Sequence, residues 1–234
     1  MTNRIADISQ RKAARVAGLL FLMLAVFSGF AHFFARVRLI VPGDAGATVK
    51  NITASESLFR IGFVSDLIAQ LCFLLSVLAL YKLLKPVNKN HAVLMVIIAI
   101  VGVPITCINL VNQYAVLLLL SGADYLTVFE PDQLHALVML FLNLHDTGYG
   151  IAHIFFGLWL LPLGLLVFKS GFLPRFFGVM LMLATFGYLT GVFTGFLFPS
   201  YAETIAPVYI QPALAEISFC LWLLLRGVNV QRTQ

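Results

Sequence analysis

Six stretches of this chain are each long and apolar enough to cross a lipid bilayer, at about 14–35, 58–84, 92–120, 146–168, 175–198 and 208–226. A helix needs roughly 20 apolar residues to traverse the hydrocarbon core, and the runs are continuous rather than alternating, which excludes a membrane β-barrel. Composition agrees: 61% of the 234 residues are hydrophobic and only 11% are charged. A soluble fold of this length has too little interior to hide that much apolar surface. The expected fold class is therefore all-α, a polytopic membrane protein with six transmembrane helices in a single transmembrane domain, 1–234.

The connecting segments carry turn chemistry. Lys85-Pro86-Val87-Asn88-Lys89-Asn90 separates spans two and three, Ser170-Gly171 precedes Pro174-Arg175, and Pro199 and Pro207 bracket the loop after span five. Proline suits a helix start. The segment Pro131–Leu144 is helical in period but too short to span alone, so it forms a short extra outer helix, re-entrant or interfacial, or else extends span four as one bent rod entering the membrane near Asn143. Pro162 should bend that span again, because proline removes a backbone hydrogen bond to the preceding turn. The 36–57 loop is long enough to fold over the outer face. Arg11, Lys12 and Arg15 precede an apolar run longer than a signal-peptide core, and this reads as an uncleaved first span.

The formal charge of +5 comes from basic residues at helix ends, not from a basic patch, so it marks topology rather than a nucleic-acid surface. With the N-terminus inside, Arg4, Arg11, Lys12, Arg15, Lys82, Lys85, Lys89, Lys169, Arg175, Arg226 and Arg232 gather on the cytoplasmic side, against Arg36, Arg38, Lys50 and Arg60 outside. That bias requires an even number of spans and places both termini in the cytoplasm (N-in/C-in). Cys72, Cys107 and Cys220 all lie in apolar runs without CxxC spacing and read as small core residues.

Polar groups inside lipid are costly and point to function or interhelical bonding. Asp66 and Gln70 are one turn apart in span two; Asn109, Asn112 and Gln113 share a face of span three; span four carries His145, Asp146, Tyr149 and His153; span six carries Glu216; His32 ends span one. On the N-in topology they fall in the outer leaflet half. Three readings follow. The groups are interhelical hydrogen-bond glue, or they line a polar cavity that binds or moves a small polar or cationic solute, with Glu216, Asp66, Gln70, Asn109, Gln113 and Asp146 as its lining. The third is a metal-dependent intramembrane hydrolase, with zinc held by His145, His153 and acidic residues. The spacing of His145 and His153 exceeds the HxxxH grip of one helix on one zinc. No cofactor motif is evident, and no phosphate-cradling loop, nucleophile elbow or nucleotide fingerprint is present. Gly187, Gly191 and Gly195 form a small-residue ladder for internal helix packing, with a homo-oligomer contact as its alternative use.

The stretch Phe155-Phe156-Gly157-Leu158-Trp159-Leu160-Leu161-Pro162-Leu163-Gly164, with Lys169-Ser170-Gly171-Phe172-Leu173-Pro174-Arg175 and Phe186-Gly187-Tyr188-Leu189, resembles the bacterial membrane family catalogued as domain of unknown function 4386. Pro212-Ala213-Leu214-Ala215-Glu216 and Trp222-Leu223 are similar to that family's last span, and Arg11-Lys12-Ala13-Ala14-Arg15 leading into Gly18 to its start. The resemblance implies a compact six-helix protein of the bacterial cytoplasmic membrane and implies no activity. It also places Glu216 within a family motif, which ranks it first among the site candidates.

Overall fold

The computed structural model describes residues 2–228. Among them every regular element is helical, and six helices are long and apolar enough to cross a membrane: Gln10–Leu39, Glu56–Leu84, Lys89–Leu119, Pro131–Lys169, Arg175–Leu197 and Ala206–Leu225. They are spans one to six below, and the chain is an all-α, multi-pass membrane protein. Arg232, counted toward the cytoplasmic side, lies outside the described residues.

Span four decides between the two readings of 131–144. The helix runs unbroken from Pro131 to Leu158, so this segment is the opening part of span four and not a separate outer helix. The start is specified locally. Pro131 occupies the first helical position, and the Gln133 side chain reaches back to accept from the Glu130 backbone N–H at 3.0 Å. The break in this span comes at Trp159, between the helices Pro131–Leu158 and Leu160–Lys169. Proline at 162 has no N–H to offer the carbonyl four residues earlier, that of Leu158, and the helix is interrupted there.

The loop read as starting at Arg36 is shorter than that. Span one continues through a π-helical segment, Phe30–Arg36, and ends at Leu39, which puts Arg36 and Arg38 on the helix. Between spans one and two a short helix, Ala45–Ala54, is capped by Asp44, whose side chain accepts from the Ala47 N–H at 2.8 Å.

Contacts within the chain group into two compact units. The first comprises 2–23, 72–103 and 151–228 among the described residues. Its centre is Trp159, edge-on to Phe73 with ring centroids 5.0 Å apart and 6.2 Å from Phe21. Small residues let backbones meet here. A Cβ at Gly164 would stand 2.7 Å from the Gly178 carbonyl oxygen, and one at Gly18 would stand 2.7 Å from the Leu224 nitrogen. The second unit comprises Leu24–Leu71 and Pro104–Gly150, with a core of Leu39, Ile52, Phe59, Val116, Leu117, Val138 and Leu142. Many large apolar side chains, among them Phe33, Phe34, Ile108 and Phe196, are exposed on the protein surface, as lipid-facing positions are.

The backbone contact at Gly164 predicts that Gly164→Ala lowers stability by about 1–3 kcal/mol, because a methyl group against a carbonyl oxygen cannot be absorbed by a rotamer change. Gly195→Ala should leave the thermal midpoint unchanged or higher, since nothing lies within 4 Å of its Cβ position and alanine is the better helix former. Thermal unfolding of both variants in the same detergent checks the pair.

Candidate functional site

The second unit holds most of the intramembrane polar groups. Its assembly begins with a close approach of spans one and two. Ala31 and Ala35 are buried, and a Cβ at Gly62 would stand 2.6 Å from that of Ala35. Glycine is therefore required for this separation. Arg36 follows Ala35 directly, and Asp66 lies one helical turn beyond Gly62. The π-helical segment, with the Val37 N–H bonded to the His32 carbonyl, sets the register in which Arg36 meets span two. The Arg36 guanidinium donates through Nη1 to Asp66 Oδ2, and the two side chains are 14% and 1% exposed. The guanidinium also lies over Tyr149 of span four, whose ring centroid is 5.8 Å from Cζ.

Among the described residues two buried side-chain oxygens have no hydrogen-bond partner, the second oxygen of this pair's carboxylate, Asp66 Oδ1, and Gln70 Oε1. Asp66 is 1% exposed and Gln70 3% exposed. Residues four apart share a helix face, so both acceptors belong to one side of span two.

From Tyr149 the polar chain continues to His145, with ring centroids 5.8 Å apart. Asn109 of span three donates through Nδ2 to the His145 carbonyl at 2.7 Å, and Gln113 Nε2 lies 3.0 Å from His145 Nε2. The consistent assignment has Gln113 donating to Nε2, which leaves Nδ1 as the N–H facing Asn109, 3.5 Å from its carbonyl oxygen and 3.2 Å from its amide nitrogen. Asn112 donates to Asn109 Oδ1 at 3.0 Å. Gly148 makes room for this arrangement, since a Cβ there would collide with the Asn109 carboxamide. Asp66, Arg36, Tyr149, His145, Asn109, Gln113 and Asn112 thus form one contiguous run of contacts across four helices.

Other candidates are placed differently. Asp146 and His32 are exposed, not buried with this run. Glu216 and His153 belong to the first unit. There the Tyr188 hydroxyl donates to Glu216 Oε1 at 2.8 Å, and the His153 ring packs 5.5 Å from Tyr188 and 6.1 Å from Tyr209. Glu216 borders a cavity of about 10 Å³ whose other lining residues, including Phe21, Trp159 and Leu181, are apolar. Such a volume admits at most one water. A larger recess in that unit, about 400 Å³, is lined among the described residues by Thr194, Phe198, Tyr201, Thr204 and Ile205, none of them charged.

Among the described residues no three His, Cys, Asp or Glu side chains converge as a metal ligand set. Both ring nitrogens of His145 face amide groups, so a zinc ion there would have to displace Asn109 or Gln113. Two glycines of the small-residue ladder serve packing within the first unit: a Cβ at Gly187 would stand 2.9 Å from Pro212, and one at Gly191 would strike the Tyr209 ring.

Arg36, Tyr188 and Tyr209 are the residues that sequence reasoning missed. Arg36 was legible in principle, because a buried aspartate in lipid demands a cation and Arg36 ends the neighbouring span.

Removing Arg36 should be far costlier than removing both partners. Arg36→Ala leaves Asp66 buried without its cation and should lower stability by about 3 kcal/mol. The Arg36→Ala/Asp66→Ala double variant should recover part of that loss, and a double-mutant cycle by thermal unfolding measures the coupling. Additive effects would show that the pair is not coupled.

Comparison with known proteins adds a family. A relative from Archaeoglobus fulgidus, named only as an uncharacterized protein, is 33% identical over 149 residues, covering 64% of this chain and 73% of the relative. No solved structure matches. The family model described as Domain of unknown function (DUF4386) matches residues 16–227. With nearly every residue of all six spans inside that match, the chain belongs to this family.

Proposed function

We propose that this protein binds a small polar solute against the Asp66–Gln70 face of span two, with Arg36 as a fixed counter-charge. The observation that carries the reading is the pair of buried acceptor oxygens, Asp66 Oδ1 and Gln70 Oε1, left without donors. Elsewhere in the same unit the buried amides and the imidazole are bonded to one another. Leaving a buried acceptor unmet costs about 1–3 kcal/mol, a penalty that a bound donor removes. Interhelical glue explains the Asn109–Gln113–His145 network, but it does not explain these two oxygens.

The same proposal places the protein in the cytoplasmic membrane of a prokaryote, N-in/C-in, with the site in the outer leaflet half. The basic residues on the Lys85–Lys89 turn support that orientation. In intact cells a membrane-impermeant maleimide should label Ser121→Cys and not Asn88→Cys; the reverse pattern would invert the topology.

For binding, the test is a thermal-shift panel of small polar solutes (ammonium, methylammonium, acetamide, glycerol, acetate) on the purified protein and on Gln70→Leu. At least one solute should raise the midpoint of the parent protein by about 2–4 °C, the response to roughly 1 kcal/mol of binding linkage for a chain of this size. Gln70→Leu should abolish that rise while keeping the solute-free midpoint, because it deletes an acceptor that has no partner. A panel that shifts neither protein would end the reading.

A further inference from the structure

Resting on that reading, we infer that the solute at the Asp66–Gln70 face is electrically neutral and rich in hydrogen-bond donors, an amide or hydroxyl compound rather than an ion. The charge balance of the site carries this. Asp66 already spends one oxygen and its whole charge on Arg36, at 1% exposure. The remaining neighbours in the contiguous run are uncharged partners: Tyr149 under the guanidinium, and the Asn109 and Gln113 amides around His145. Asp146, the acid that would otherwise tip the balance, is exposed, and Glu216 belongs to the other unit. Among the described residues the second unit has one other ion pair, Arg60–Glu56, half-exposed and self-neutralising.

A cation entering here would compete with Arg36 for a carboxylate that is already neutralised, and would bring one uncompensated charge into a low-dielectric setting. That is the costliest arrangement a buried site offers. An anion would meet two acceptor oxygens, which repel it, and a guanidinium already engaged. A neutral donor escapes both penalties: it gives up hydrogen bonds to water and regains them from Asp66 Oδ1 and Gln70 Oε1. Sites built around unmatched acceptors also reject an analogue that lacks the donor.

Three probes of one shape separate these cases: acetamide, the acetamidinium cation and acetate, which differ in charge on a common two-carbon frame. In thermal shift at matched ionic strength, acetamide should raise the midpoint of the parent protein by a few degrees, while acetamidinium and acetate should not. The acetamide response should vanish in Gln70→Leu. In Gln113→Leu, where the altered amide belongs to the His145 network, the solute-free midpoint should fall but the acetamide shift should persist. A response to acetamidinium equal to or larger than that to acetamide would overturn the neutrality inference and leave the binding reading standing. So would a Gln70-dependent response to methylammonium or acetate alone. If Gln70→Leu changes no solute response and itself lowers the midpoint, Gln70 is a packing amide and both the inference and the reading fall.

Discussion

An ion pair inside a membrane span is the constraint around which the second unit is built. Neither Arg36 nor Asp66 tolerates the bilayer interior alone, at roughly 2.5–3.5 kcal/mol for a charge at a helix centre. Once paired, each fixes the other's position, and spans one and two have little freedom to slide or rotate against each other. Several sequence choices serve that geometry. Gly62, Ala31 and Ala35 let the helices approach closely. The π-helical segment Phe30–Arg36 sets the register in which Arg36 arrives opposite Asp66. Since neighbouring residues on an α-helix point about 100° apart, a shift of one residue would turn the guanidinium off its partner. Single-turn π-helical segments inside α-helices are frequent at functional sites.

The rest of the polar run follows a different economy. Asn109, Asn112, Gln113 and His145 satisfy one another with neutral hydrogen bonds, each a modest contribution in a membrane protein. Their value lies in direction: spans three and four are pinned at one height, and Tyr149, one turn beyond His145, is brought against Arg36. Because that network is satisfied, the two unmet oxygens on span two stand out as a property of Asp66 and Gln70 and not of polar groups in this unit generally.

Much of the fold was legible because lipid leaves few options: apolar runs of sufficient length must be helices, and Pro131 with Gln133 marks where one begins. The placement of the break at Trp159 followed from Pro162, displaced by the one turn over which a missing N–H acts. Less was legible where register decides. The end of span one was set too early, at the first arginine, because charge was read as a loop signal when Arg36 is instead helical and paired. Sequence spacing put Asp66 with Gln70 on one helix face and Asn109 with Gln113 on another, and the second pair meets His145. It did not distinguish Asp146, which is exposed where its neighbour His145 is buried. Tyr188 and Tyr209 were invisible as site residues because an aromatic in a span ordinarily means packing; only contact geometry shows one of them donating to Glu216.

The two intramembrane carboxyls, Asp66 buried and Glu216 half-buried, now separate chemically. Glu216 has a phenol for a partner and an apolar wall beside a space of about 10 Å³, which suits a group whose hydrogen bond ties span six to span five. Gly157 and Gly191 support the same contact: they accept Tyr188 and the neighbouring Tyr209 where any Cβ would obstruct them. Asp66 has a cation, a buried second oxygen without a donor, and an amide one turn away in the same condition. A carboxylate kept only for stability gains from having both oxygens bonded, since an unmet one costs as much as several interhelical bonds of the kind found beside it. Of the two acids, Asp66 is therefore the one with an oxygen that its own surroundings leave unmet, although the family motif around Glu216 had drawn attention to the other.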